Sequence, residues 1–234
     1  AAAYPRVPCA PLAVTNRPLP PAPFGPPRVP PVARARPQRP FLGKTVLTGS
    51  AEKWALVPSA DNGGNALGNK WRGGSEPFDH DDWDSGNDGV GYDQNADYDP
   101  HIGLDVDAER YDINLSVFVR IPFMVSAADR KKSNFMVLSM KYDDGYVAYL
   151  NGVRVASRNA PAGLEWNSRS SASHPDAAAL VFETGDISDD LEALVAGVNV
   201  LAIHGLNASV AAIRAYYAAA KAAGLLSLAY FNFH

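Results

Sequence analysis

One cysteine in 234 residues, Cys9, excludes any disulfide within the chain. A thiol there can bridge to another chain or carry a lipid; the plainer reading is an incidental free cysteine. Long apolar runs are also missing, so no segment has the length of a membrane span. The first residues show no charged stretch followed by an apolar one, so no signal peptide is legible, and an exported protein would have lost its signal already. Acidic residues are absent from Ala1 to Pro40, which carries Arg6, Arg17, Arg28, Arg34, Arg36 and Arg39. The rest of the chain holds 15 basic and 25 acidic residues, and Glu76 to Asp112 alone has 13 acids against the single base Arg110. A basic arm and an acidic body follow. Phosphate would be repelled by such a body, which excludes nucleic acid as its partner.

The signatures of common catalysts are lacking as well. There is no G-x-S-x-G, no P-loop and no H-E-x-x-H. The five histidines, at 80, 101, 174, 204 and 234, have no metal-ligand spacing. His204 falls in an alternating strand, where a packed or edge residue is the expected reading. Paired carboxylates, Asp81-Asp82 and Asp143-Asp144, suggest glycoside hydrolysis in principle. Acidic pairs in turns more commonly cap and form those turns. The expectation is therefore a non-enzyme, with a hydrolase as the remote alternative.

Proline and glycine are abundant, at 19 each. Thirteen prolines fall within the first forty residues. Proline fixes φ and has no N–H, so this segment forms neither helix nor central strand and takes an extended, polyproline-like path. It is either a linker or an arm lying on a partner, with Arg28, Arg34, Arg36 and Arg39 docking onto acids; the arm is the reading taken. From Phe41 onward the pattern is that of short strands and tight turns. Strands are expected at Thr45–Leu47, Lys53–Val57, Leu115–Phe123, Asn134–Tyr142, Tyr146–Leu150, Val153–Ser157, Val181–Glu183 and Asn199–His204. Val117, Val119 and Ile121 share one face, and Pro122 belongs at an edge or strand end. Asn151-Gly152 between two β-rich runs is a hairpin signal, because both residues tolerate positive φ. Ser59 to Ser75 and Pro77 to Asp112 read as long loops, the second acidic. Ser209 to Ala223 reads as a helix capped by Ser209 and stopped at Gly224, followed by an apolar strand from Leu225 to Phe233. The fold class expected is all-β, an antiparallel β-sandwich over 41–207, with the arm at 1–40 and a helix and strand at 208–234.

Several stretches resemble one module family. Pro77-Phe78-Asp79-His80-Asp81-Asp82-Trp83, followed by Gly89-Val90-Gly91-Tyr92, is similar to an acidic aromatic element of galactose-binding-like jelly rolls. Tyr98 to Gly103 and Val119 to Phe123 resemble the approach to that family's central strand. Asp143-Asp144-Gly145-Tyr146-Val147-Ala148-Tyr149-Leu150-Asn151-Gly152-Val153 looks like its central hairpin, and Asn199 to Asn207 like a later strand. The resemblance covers roughly Lys53 to Asn207. It implies a jelly-roll accessory module of secreted or cell-surface bacterial proteins of planctomycete type, often carbohydrate-directed. The arm and the Ala-rich C-terminal helix lie outside it.

Three binding expectations follow. For sugar or a protein partner, the candidates are Trp71, Tyr92, Arg158, Asn159 and Trp166: pyranose C–H faces stack on aromatic rings while planar polar groups fix hydroxyls. Trp54 and Trp83 are expected in the core instead. For calcium, the alternating oxygen donors Asp93, Asn95, Asp97 and Asp99 are the first set, and Asp79, Asp82, Asp105 and Asp107 the second. The competing reading is a solvated acidic surface, or one neutralised by the arm. For assembly, the arm and the C-terminal helix would contact other subunits. The function expected is a non-catalytic binding or structural module making protein–protein contacts in an extracellular, cell-surface or periplasmic setting. The alternative is a carbohydrate-binding module that targets a polysaccharide-degrading enzyme.

Overall fold

The computed structural model describes residues 43–91, 99–106 and 114–208. The chain divides between Leu42 and Gly43, and all described residues belong to the second unit. Among the described residues ten strands carry the fold: β1 Lys53–Leu56, β2 Asp84–Gly86, β3 Gly89–Gly91, β4 Ile102–Asp105, β5 Ser116–Val125, β6 Val137–Met140, β7 Gly145–Leu150, β8 Val153–Arg158, β9 Glu183–Asp186 and β10 Gly197–Leu206. Six of them form one sheet in the order β2-β1-β5-β10-β7-β8, every neighbour antiparallel. β3 pairs with β4, in parallel, and β6 with β9, antiparallel. The architecture is the expected all-β sandwich.

The period-2 alternation of the central strands decides which side chain goes where. Ala55, Val117, Val119, Ile121, Ala148, Leu201 and Ile203 pack with Val90, Leu104, Met140 and Tyr142 into one core. Their neighbours in sequence, Leu56, Phe118, Val147, Tyr149, Val200 and Ala202, build a second core on the other face with Trp71 and Trp83. The large sheet is thus buried on both sides. The two small strand pairs cover one side. Loop segments around Trp71, Trp83 and Trp166 cover the other.

The Asn151-Gly152 turn forms as its sequence demands, with φ of 49° and 86°. Asn151 does more than turn the chain. Its Nδ2 donates to Ala193 O and Asn199 Oδ1, and its Oδ1 accepts from Val200 N. Gly74 packs against this turn so closely that a Cβ there would sit 2.4 Å from Asn151 O. Pro122 lies in β5 past Arg120, the last β5 residue in register with β1, so its missing N–H breaks no ladder with that strand.

Some expectations are corrected. Thr45–Leu47 is not a strand. The segment from Pro77 is not a continuous loop, since β2, β3 and β4 lie within it. The strand expected at Val181 starts instead at Glu183, because the short helix Asp176–Ala179 closes through Val181, whose N–H donates to Ala178 O. Trp54 is half-buried, packed edge-on to His80 at 4.6 Å, whereas Trp83 is in the core. The proposed helix and strand after Ser209, and the arm, lie outside the described residues.

Candidate functional site

Two turns tied down to the sheet wall a pocket on the second face. The first is the loop from Pro58 to Ser75. Asn62 fixes its start, with Nδ2 donating to Val57 O and Oδ1 accepting from Ser59 N and Gly64 N. Its far end is the 3-10 turn Lys70–Arg72. Gly152 N donates to Arg72 O, and the Arg120 guanidinium donates to Trp71 O. Arg120 is fully buried, and it is held in turn by a two-pronged bond to Glu76, at 2.7 and 2.9 Å, beneath the Phe78 ring. Trp71 is pressed onto the sheet, its ring stacked on Phe118 at 4.1 Å and 11°. The second wall is the turn at Glu165–Ser168, closed by Glu165 N donating to Ser168 Oγ. Ser116 Oγ donates to Ser168 O, and Ser170 N donates to Asn207 O, which fasten this turn to β5 and to the residue after β10.

Between the walls is a pocket of about 220 Å³ lined by Trp71, Arg72, Phe118, Leu164, Trp166 and His204, with Asn65, Asn69 and Glu165 supplying polar groups. Pockets for drug-sized molecules run from about 300 Å³ upward. This one has room for a single ring. Trp71 Nε1 and Arg72 Nε are buried, and neither has an acceptor among the described residues. The Arg72 guanidinium lies over the Tyr149 ring, 4.4 Å from its centre. Burial raises the Tyr149 phenol above its ordinary value, and Arg72 opposes the shift.

His204 and Ser116 are 2.9 Å apart behind this pocket, and both are buried. The Ser116 hydroxyl gives its proton to Ser168 O, so it accepts from His204 Nε2–H. That is the reverse of a nucleophile and its base, where the ring must take the serine proton. His204 otherwise sits edge-on to Phe118 at 4.8 Å and to Trp71 at 6.0 Å, a packed residue of the sheet face.

The five binding candidates are distributed unevenly. Trp71 and Trp166 meet in the pocket. Arg158 ends β8 and reaches the carboxylate of Glu183 at 3.4 Å. Glu183 also faces His174 Nε2 at 3.4 Å, while the His174 ring stacks on Tyr142 at 4.2 Å and its Nδ1–H donates to Tyr142 O. Burial first, and then a hydrogen bond with Glu183, push the Tyr142 phenol well up. Tyr142 and Tyr146 belong to the opposite core, so Arg158 is not part of the Trp71 pocket. Asn159 has φ of 49° and donates through Nδ2 to Asp144 O, bracing the Asp143-Asp144 turn. Both acids of that turn are buried, and Asp144 accepts from His174 N and Ala208 N. Tyr92, Asp93, Asn95, Asp97 and Asp107 lie outside the described residues; Asp99 opens a 3-10 turn, Asp99–His101. Asp79 accepts from Asp81 N in a local turn. Among the described residues, no three metal-ligating side chains converge. Arg28, Arg34, Arg36 and Arg39 also lie outside them.

Arg72, Asn65, Asn69 and Glu165 escaped the sequence reading. Nothing in their spacing joins residues 65–72 to 164–166; only the face of the intervening sheet does. Arg72's position directly after Trp71 was the single available clue.

No family model and no curated protein matches the chain. Solved structures similar to it include a calcium-binding mutant of β-glucuronidase 2 from Bacteroides uniformis, at 11% identity and a TM-score of 0.36, over 68% of this chain and 14% of that one. A β-glucuronidase from an uncultured Clostridium gives 14% and 0.37, over 70% and 22%. A β-glycosidase from Bacteroides vulgatus gives 15% and 0.35, over 69% and 17%. The chain spans less than a quarter of each of these proteins, and at such scores the likeness assigns no function.

Proposed function

We propose that this chain is a non-catalytic β-sandwich module that binds a single carbohydrate ring in the Trp71–Trp166 pocket. One observation carries the reading: two tryptophans far apart in sequence wall one ring-sized pocket edged by amide and charged groups. An apolar sugar face stacks on the half-buried indole of Trp166, with the wholly buried Trp71 backing the pocket, and Asn65, Asn69 and Glu165 are suited to hydroxyls. Non-catalytic character is supported by the Ser116–His204 geometry, in which the hydroxyl's proton is committed to a backbone carbonyl.

The test is titration of the protein with monosaccharides, followed by the indole N–H signals in NMR. Binding that shifts the Trp166 signal and vanishes in Trp166→Ala supports the reading. No shift with any hexose or uronate at tens of millimolar sinks it. Turnover of an aryl glycoside that Ser116→Ala abolishes would replace it with a hydrolase.

A second reading has its own observation. Leu180, Val181 and Phe182 are consecutive and exposed at 39, 62 and 50%, which suits contact with another subunit. Such contacts, with the arm and the segment after Ser209, fit a module working in an extracellular or periplasmic assembly. No helix among the described residues is long and apolar enough to cross a membrane. Calcium held by Asp93, Asn95, Asp97 and Asp99 is part of the same proposal. Its check is the melting temperature with millimolar calcium against EDTA, where a rise of several degrees is expected.

A further inference from the structure

The pocket wall holds one cation, Arg72, with no ion-pair partner among the described residues. Arg72 is half-buried and unpaired, whereas the fully buried Arg120 beneath the same turn is paired with Glu76. The Arg72 guanidinium carbon lies 4.4 Å from the centre of the Tyr149 ring and 5.8 Å from that of Trp71, so it packs against two aromatic rings. Its Nε is buried without an acceptor, and so is Nε1 of Trp71, the residue before it. Buried N–H groups almost always find acceptors. Here two fail to, on adjacent residues of one turn, and both residues line the same pocket. Both atoms are closed off from the pocket, which leaves the two terminal nitrogens of the Arg72 guanidinium to meet a ligand there.

We propose that the ring bound in this pocket carries a carboxylate, as a uronic acid does, and that Arg72 is the group that selects it. The inference rests on the carbohydrate reading above and specifies its ligand. A guanidinium fork matches the two oxygens of a carboxylate. The ring itself would lie against Trp166 and Leu164, leaving its hydroxyls to Asn65, Asn69 and Glu165. A monoanion fits better than a phosphate dianion, because the wall offers one cation and already holds the carboxylate of Glu165.

The experiment is calorimetric titration of the full chain at fixed ionic strength with glucuronate, galacturonate, glucose, galactose and glucose 6-phosphate. A uronate is expected to bind at least about tenfold more tightly than its neutral hexose, the scale of one charge-assisted pair. Arg72→Gln should erase that preference. Because Arg72 also packs on Tyr149, Glu165→Gln supplies a second variant at an exposed position: removing its negative charge should raise the ratio of uronate to neutral-hexose affinity severalfold, whatever the loss of a hydroxyl contact does to both sugars. Equal binding of uronate and hexose, with both variants indifferent to charge, overturns the inference while the sugar pocket stands. Tighter binding of the sugar phosphate overturns it as well. Silence from every sugar removes the carbohydrate reading and this inference with it.

Discussion

Two tryptophans in the same pocket have different jobs. Trp71 is wholly buried, stacked on Phe118 and pinned at its carbonyl by Arg120. Trp166 is half-buried on the opposite wall. Truncating a buried indole leaves a cavity that the sheet cannot close, at a cost of about 3–5 kcal/mol. Trp71→Ala is therefore expected to lower the urea midpoint sharply, whereas Trp166→Ala should cost less than about half as much and act mainly on ligand binding. Urea titrations of both variants beside the parent chain decide it. The sequence pointed to both residues as binding candidates, in predicted loops or strand ends. It could not show that one loop folds down onto a sheet, because that depends on Arg120 and Glu76, which are distant in the chain.

At the scale of elements, what was legible was local. Alternation marked β5 and β10, and Asn151-Gly152 between two β-rich runs marked the hairpin of β7 and β8, because strand period and turn φ are properties of neighbouring residues. The short strands β2 to β4 were hidden, since three or four residues with glycine and acid carry no period. Asn151 shows how far a local signal falls short. Glycine would satisfy the turn equally well, yet the asparagine amide makes three bonds to Ala193, Asn199 and Val200. Asn151→Gly keeps the turn and loses those bonds, for an expected cost of about 2–3 kcal/mol by chemical denaturation.

Lys53 in β1 is a second case the sequence concealed. Its side chain is buried, and its ammonium donates to the carbonyls of Gly49, Ala51 and Asp88 at 2.6, 3.0 and 2.5 Å, so the chain places a cation of its own among loop oxygens. Burial lowers its pKa from 10.5 to about 8, against the pull of Asp88. Below about 8 the lysine is protonated both folded and unfolded, and the burial cost is carried in full. Between about 8 and 10.5 the unfolded chain holds the proton and the folded chain releases it, so stability rises with pH across that window. Comparing urea midpoints of the parent and Lys53→Met at pH 7.5 and 10 isolates this group. The gap in favour of the parent should widen at the higher pH; a constant gap would show that the folded ammonium keeps its proton.

For the molecule as a whole, the decisive feature is that one sheet serves two cores. Val119 and Phe118 are adjacent residues of β5, yet they belong to opposite cores, and the same is true of Leu201 and Ala202 in β10. Neither core can dissolve without releasing strands that the other needs. The loops that build the pocket depend on this arrangement: Trp71 rests on Phe118, and the Glu165–Ser168 turn is bonded to Ser116, all at positions along β5. Unfolding is therefore expected to be all-or-none over the sandwich, with the pocket lost in the same transition. Tryptophan fluorescence, which follows the Trp71 side, and far-ultraviolet dichroism, which follows the strands, should give coincident urea curves. Val119→Ala, buried on the side away from the pocket, should shift both curves together to a lower midpoint. A fluorescence transition that moves apart from the dichroism curve would mean that the pocket loops melt as a separate layer, and that the sheet does not hold the site in place.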